Sequence, residues 1–258
     1  MAEYIKGIYN NCAVTISNFY DIIEKAQTTH NLDDAHSKEL GKVLAFASYL
    51  SSSYKSELDT LSVTAVFDEG KIVVVAKGNN KLKGYIDPLI INENEYKKGA
   101  LVVIKGENLK KPYTGTCFFA EGLEDGFVKY FDTSEQNELH IDIEIDMNAK
   151  VARAIFVQFL PGASMDNMLE CDKIFIENSN QKIAEFYLNN FEKLSTTEFV
   201  YECDCSTDRI DRAILALGKA EAEQIIAEQG KIEIKCEFCQ TTYSYGTEDI
   251  KRLFEELN

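Results

Sequence analysis

Two short cysteine pairs near the end of the 258-residue chain constrain its fold more than any other feature. Cys203 and Cys205 form the first pair, Cys236 and Cys239 form the second pair, and thirty residues lie between the two pairs. Four thiolates complete a tetrahedral zinc site and leave no position open for water or substrate. The spacing therefore predicts one closed Zn²⁺ site per chain, with a structural or sensing role rather than a hydrolytic one.

The alternative interpretation is that these four cysteines are buried side chains that act as small hydrophobes. Four of the seven cysteines lie in two short pairs, however, which favours metal ligation. An odd total also argues against a complete disulfide framework. The remaining three, Cys12, Cys117 and Cys171, stand alone in the sequence and are predicted to be packing residues.

Net charge and the absence of familiar motifs exclude several function classes. The formal charge of -16 repels phosphate backbones, so general nucleic-acid binding is disfavoured. The sequence contains no P-loop, dinucleotide fingerprint or HExxH motif, so nothing supports nucleotide-driven or zinc-protease chemistry, and no enzyme class is predicted. It also contains no signal peptide and no run of eighteen apolar residues, which predicts a cytoplasmic protein without a membrane partner.

Hydrophobic periodicity predicts an α+β first domain. Apolar residues at helical spacing indicate two opening helices, at residues 15–26 and 37–50. β-Branched runs at 61–67 and 71–76 predict a hairpin around the turn Asp68-Glu69-Gly70, followed by a third strand after Gly78-Asn79-Asn80. Further strands are predicted at residues 100–105, 113–120, 140–146 and 151–160. Together these elements indicate a mostly antiparallel sheet packed with helices.

The remaining sequence predicts a short helical linker and a small zinc-binding module. Residues 166–194 have weak helical character with a polar interruption at 178–181, so the predicted domains are 1–164, 165–200 and 201–258. Ser206 and Gly218 are suited to begin and end a helix. A second helix at 220–229, a hairpin of 231–235 with 242–245, and a final helix from Thr247 complete the module. Zinc would supply most of its stability, on the order of 10 kcal/mol.

Taken together, these residues resemble the redox-regulated 33 kDa heat-shock chaperone family, also called the 33 kDa chaperonin. The strongest resemblance lies in the cysteine pairs and in the segment RIDRAILALGK at residues 209–219 between them. Five upstream segments resemble family segments in the same order: Lys83-Gly84-Tyr85, Val103-Ile104-Lys105, Lys111-Pro112-Tyr113-Thr114-Gly115, Tyr130-Phe131 with Ser134-Glu135-Gln136, and Phe156-Val157-Gln158-Phe159-Leu160-Pro161-Gly162-Ala163. The resemblance thus covers both ends of the chain.

The resemblance implies an ATP-independent holdase that is inactive while its four cysteines bind zinc. Oxidation would form disulfides within each pair, Cys203 with Cys205 and Cys236 with Cys239, and would release the metal. The activated protein would bind unfolded or aggregation-prone proteins and form a homodimer. Thiolates are the form of cysteine that oxidants attack, so the bonds that stabilise the module would also make it a sensor.

Two rival functions remain open at this stage. A constitutive binding module would use zinc only to brace a docking surface and would show no redox response. A thiol oxidoreductase would use Cys236 and Cys239 as an exchanging pair, but such pairs usually begin a helix in a βαβ unit, whereas this pair precedes a hairpin strand. The short stretch between Ala163 and Cys203, where family members carry a longer linker, predicts weaker redox control.

Overall fold

The chain divides into two compact units, residues Met1–Tyr201 and Glu202–Asn258. The structure, a computed structural model, describes residues 2–68, 70–87, 97–106 and 112–255. Glu69 of the predicted hairpin turn and Lys111 of the family-like segments lie outside the described residues. Each unit has its own apolar core and is considered separately.

The described part of the first unit contains a ten-stranded sheet and five α-helices. The strands are β1 (Ala2–Tyr9), β2 (Cys12–Asn18), β3 (Thr60–Phe67), β4 (Gly70–Lys77), β5 (Lys81–Asp87), β6 (Gly99–Gly106), β7 (Tyr113–Phe119), β8 (Leu139–Asp146), β9 (Val151–Phe159) and β10 (Glu192–Tyr201). The helices are α1 (Tyr20–His30), α2 (Asp34–Ser51), α3 (Leu123–Tyr130), α4 (Met165–Glu177) and α5 (Asn180–Asn190). A π-helical turn, Phe131–Glu135, follows α3 directly.

The sheet has the strand order β7-β6-β3-β4-β5-β10-β1-β2-β9-β8. Neighbouring strands are antiparallel except for β10 and β5, which pair in parallel through Val200 with Lys81 and Tyr201 with Leu82. On its other edge β10 pairs antiparallel with β1. This strand therefore joins two antiparallel half-sheets, and the prediction of a mostly antiparallel α+β fold is confirmed.

Helices cover the sheet on both sides. On one face, α1, α2 and α3 enclose the main core, where the ring of Phe46 stacks on Phe127 with centroids 4.1 Å apart. On the other face, α4 and α5 cover β2 and β9 with a second core that includes Ile174 and Tyr187. Alternation along the strands makes this possible, because Phe156 enters the first core and its neighbour Val157 enters the second.

The predicted helix at 15–26 is wrong in its first half. Residues 12–18 form strand β2, which lies between β1 and β9, and helix α1 begins only at Tyr20. Because both faces of β2 are covered, Thr15 and Ser17 are buried as well as Val14 and Ile16. A strand buried on both faces lacks a clean polar and apolar alternation, so its sequence can imitate helical spacing.

The predicted linker at 165–200 differs from the observed division of the chain. Its residues fold as α4, α5 and β10 within the first unit, and the boundary between the two units falls after Tyr201 in the sequence. The two helices match the predicted weak helical character, whereas β10 was not predicted. Most of its side chains are exposed, so its sequence shows no apolar face, and the strand is held by backbone pairing with distant strands.

The described part of the second unit, residues 202–255, contains three helices and a hairpin around a small core. Its elements are α6 (Thr207–Leu217), α7 (Lys219–Gln229), β11 (Ile232–Lys235), β12 (Thr242–Tyr245) and α8 (Thr247–Glu255), close to the predicted ones. The buried apolar side chains of its described part are Ile210, Ile214, Ala222, Ile232, Tyr245 and Ile250. Gly218 adopts a φ of 91°, which L-residues rarely adopt, and so lets α7 follow α6 without a loop.

The stacked pair in the main core gives a test of the fold. Phe46→Ala should lower the free energy of unfolding of the first unit by about 3–5 kcal/mol, because it removes a fully buried ring. Phe118→Ala is the matched control, since Phe118 is 78% exposed and its loss should cost less than about 1 kcal/mol. Denaturant titrations followed by circular dichroism measure both, and equal losses would contradict this packing.

Candidate metal centre

The hairpin of the second unit presents Cys236 and Cys239 in one tight turn. The backbone N–H of Cys236 donates to the carbonyl oxygen of Thr241 at 2.9 Å, and the N–H of Gln240 donates to the carbonyl oxygen of Cys236 at 2.8 Å. Gln240 adopts a left-handed conformation with φ of 61°, which reverses the chain. Both thiols are therefore held at the end of the hairpin between β11 and β12.

Cys203 and Cys205 lie in the irregular segment that leads into α6. Ser206 occupies the N-cap position, and its carbonyl oxygen accepts hydrogen bonds from the N–H groups of Arg209 and Ile210. Helix α6 is in turn tied to the hairpin, because the hydroxyl of Tyr245 donates to Asp211 Oδ1 at 2.6 Å. The helix between the cysteine pairs thus returns the chain so that both pairs lie together.

The four Sγ atoms of Cys203, Cys205, Cys236 and Cys239 lie within 4.8 Å of one another. Individual separations are 3.8 Å between Cys203 and Cys236 and 3.1 Å between Cys205 and Cys239. Sulfurs bound to one tetrahedral zinc ion at about 2.3 Å would be about 3.8 Å apart. All four cysteines are partly buried, and their sulfurs are close enough together to hold a metal ion.

Two residues beside the cysteines were missed by the sequence analysis. The hydroxyl of Tyr243 donates to Cys205 Sγ at 3.1 Å, and Thr241 Oγ1 lies 3.3 Å from Cys239 Sγ. Thr241 and Tyr243 are two residues apart in an extended segment, which places their side chains on the same side of the chain. Their spacing after Cys239 is the signal that could have identified them. Such neighbours orient metal ligands and tune their basicity.

These contacts make the thiols unequal. Burial raises the pKa of Cys239, but hydrogen bonds with the hydroxyl and the backbone of Thr241 outweigh it and bring the pKa down to about 7. Burial raises the pKa of Cys205 in spite of the hydrogen bond from Tyr243. The same bond is the main reason why the pKa of Tyr243 rises to about 12. Cys239 is therefore the more readily ionised of these two sulfurs.

The three isolated cysteines have a different environment, as predicted. Cys12, Cys117 and Cys171 are all buried in the first unit. Burial raises the pKa of Cys12 to about 11 and that of Cys171 to about 12, which keeps both as neutral thiols. Their role as packing residues is confirmed, since buried, protonated thiols are chemically inert.

None of the helices in the described part of the chain is both long and apolar enough to cross a membrane.

Comparison with known proteins identifies the relatives of this chain. Residues 7–246 match the family model described as Hsp33 protein. Among curated proteins named 33 kDa chaperonin, that of Lachnoclostridium phytofermentans is 27% identical and covers 92% of each chain. That of Thermoanaerobacter sp. is 28% identical and covers 98% of each chain.

A crystal structure of 33 kDa chaperonin (heat shock protein 33 homolog) from Thermotoga maritima has a similar fold. It superposes with a TM-score of 0.81, covers 99% of this chain and 98% of its own, and is 22% identical in sequence. That likeness shows that the fold is shared along the whole chain. Because the family model matches nearly all of its residues, the chain belongs to the Hsp33 family of chaperones.

Proposed function

We propose that this protein is an ATP-independent holdase whose clustered cysteines bind one Zn²⁺ and keep it inactive while they are reduced. Oxidation of the cysteines, with loss of the metal, would activate it to bind unfolded or aggregation-prone proteins. The observation that carries the proposal is the convergence of four thiols from two distant segments within 4.8 Å. Family membership supports the chaperone activity on which this regulation acts.

The second unit depends on the link between its cysteine pairs. Bound zinc would supply a four-way cross-link that keeps its ligands as thiolates. Without that link, α6 and the hairpin are held together by a core of six buried apolar residues and by the bond from Tyr245 to Asp211. Cores of this size rarely supply more than roughly 3–5 kcal/mol. Loss of the ligands is therefore expected to unfold the second unit.

Peroxide chemistry would convert the ligands into disulfides. One thiolate of a pair attacks the peroxide, which yields a sulfenic acid and hydroxide. The second thiolate then displaces the hydroxyl group as a further hydroxide and forms the S–S bond. Each pair loses two electrons, so two peroxide molecules oxidise all four cysteines. The family resemblance gives the pairing, Cys203 with Cys205 and Cys236 with Cys239.

The first unit offers apolar surface on which a client could be held. Val66, Ile104 and Phe118 lie on the face of β3, β6 and β7 that points away from the main core, and they are 41%, 38% and 78% exposed. In contrast to β2 and β9, these strands are not covered by α4 and α5. Exposed apolar surface of this kind binds unfolded chains without ATP. A homodimer of the activated protein would enlarge the apolar surface that is available to a client.

One observation favours a constitutive, zinc-braced binding module as the second candidate. Residues 165–200 are folded into the first unit, and β10 pairs with both β1 and β5. Unfolding of the second unit would then stop at Tyr201 instead of spreading through a long linker.

Either function places the protein in a reducing compartment such as the cytoplasm, because free thiolates are maintained there.

Cys203→Ser tests the assignment of the metal ligands. The wild-type protein should bind about one zinc ion per chain, and the variant should lose tight binding because a hydroxyl replaces one of four thiolate ligands. Metal content after gel filtration, with a chelator competition titration, measures the change. Cys171→Ala is the control, since it removes a thiol from the first unit and should retain about one ion per chain. Equal zinc content in both variants would contradict the assignment.

Metal removal tests the dependence of the second unit on zinc. Treatment of the reduced protein with a strong chelator should unfold residues 202–258 while residues 2–201 stay folded, because only the second unit has so small a core. Hydrogen exchange followed by mass spectrometry distinguishes the two units peptide by peptide. Protection of α6 and α8 that survives chelation would show that zinc does not maintain the second unit.

Oxidation distinguishes the redox switch from the constitutive module. Peroxide with mild heat, or hypochlorite, should release about one zinc ion per chain and turn on suppression of client aggregation. Thiol titration, zinc release and light scattering of a denatured client should be measured in parallel on reduced and oxidised protein. Disulfide mapping would test the pairing. Equal suppression in both redox states would support the constitutive module, and failure of the oxidised, zinc-free protein to suppress aggregation would exclude the holdase.

A further inference from the structure

A cavity of about 240 Å³ opens in the first unit between the end of α2, the hairpin of β1 and β2, and the π-helical turn. Its lining includes the polar side chains of Lys6, Gln158, Lys105 and Glu135, together with the apolar side chains of Leu50 and Phe131. The volume is below the roughly 300–1,000 Å³ typical of pockets for drug-sized ligands. It suits a ligand about the size of one amino acid.

Lys6 is the unusual residue of this cavity. Its Nζ donates to the carbonyl oxygen of Ser52 at 3.0 Å, and burial lowers its pKa. No carboxylate is paired with it among the residues that the structure describes. An ammonium group has three donors, so two remain for another acceptor. A partly buried charge without a counterion is costly, which gives an anionic ligand a reason to bind.

The other charges of the cavity cancel. Lys105 Nζ lies 2.5 Å from Glu135 Oε1, and the hydroxyl of Tyr130 donates to the same oxygen. The hydroxyl of Tyr49 donates to Gln158 Oε1 at 3.2 Å, which leaves the amide N–H groups of Gln158 as further donors. The cavity therefore carries a net charge of one positive unit in a chain whose formal charge is -16.

A β-bulge places an apolar residue at the cavity. Lys6 pairs with Ser195 and Gly7 pairs with Lys193, so Leu194 is the extra residue in the ladder between β1 and β10. Its side chain lines the cavity and is 59% exposed. Bulges commonly redirect a side chain beside a functional site. The cavity thus combines one unpaired cation with exposed apolar surface.

We propose that this cavity binds a small monocarboxylate with an apolar body. The carboxylate accepts hydrogen bonds from Lys6 and Gln158, and the apolar part packs against Leu194, Leu50 and Phe131. The carboxyl-terminal residue of a polypeptide and a free carboxylic acid share this chemistry. The cavity lies in the first unit, whereas the cysteine cluster belongs to the second unit.

Binding of N-acetyl-leucine to the zinc-bound full chain tests the proposal, with N-acetyl-leucinamide as the uncharged comparison. The acid should bind about tenfold or more tightly than the amide, because a charged hydrogen bond is lost in the amide. Lys6→Met should weaken binding of the acid by a similar factor. Lys193→Met, which removes an exposed lysine from β10, should leave it unchanged. Isothermal titration calorimetry and amide shifts of the lining residues measure the binding of each ligand to the wild type and to each variant.

If Lys6 acted only as a cap of the α2 carboxyl terminus, a variant that keeps the cap would bind the acid and the amide as the wild type does. Lys6→Gln can still donate to the carbonyl oxygen of Ser52 but carries no charge, so it keeps the cap and should lose the preference for the acid. If wild type and both Lys6 variants bound acid and amide equally, or bound neither, the proposal would be overturned.

A leucine-terminated tetrapeptide distinguishes the two sources of the carboxylate. Binding as tight as that of the small acid indicates a polypeptide terminus, and binding of the small acid alone indicates a free acid.

Discussion

The meeting of four thiols at one point is the constraint on which the second unit depends. Cys203 and Cys205 precede α6, whereas Cys236 and Cys239 lie in the hairpin turn, and their sulfurs come within 4.8 Å only because the chain between them folds back. The left-handed φ of Gly218 shortens that return by joining α6 directly to α7. A metal cross-link at this point would fix the helix and the hairpin together and would add to a core with six buried apolar side chains in the described part of the unit.

The first unit depends on a different interaction, the backbone pairing of β10. This strand has few buried side chains, yet it joins the half-sheet of β1, β2, β9 and β8 to the half-sheet of β3 to β7. Its parallel contact with β5 is short, two residue pairs at Val200 and Tyr201. Those residues lie immediately before the second unit, so the shortest strand pairing of the large sheet is next to the cysteine cluster in sequence.

Local patterns in the sequence predicted most elements, and the errors have physical causes. The hairpin of β3 and β4 and all elements of the second unit were predicted, because their apolar periods and turn residues are local signals. Strand β10 is not predictable locally because its stability comes from distant partners, and β2 has an apolar spacing like that of a helix because it is buried on both sides. Helix α2 begins at Asp34, three residues before the predicted start, since the side chain of Asp33 caps it. The cysteine cluster was predictable, but Tyr243 and Thr241 required the geometry.

The contrast between the two units is consistent with the proposal that one chain combines a stable scaffold with a redox-sensitive module. The core of the first unit contains stacked aromatic pairs such as Phe46 with Phe127 and Tyr49 with Phe156, and its helices cover both faces of part of the sheet. The cysteines of the first unit, Cys12, Cys117 and Cys171, are buried, and buried thiols are chemically inert. The second unit differs in both respects, because its core is small and its thiols are partly exposed. An oxidant would therefore act on the thiols of the second unit, whose small core provides the least folding free energy to oppose unfolding.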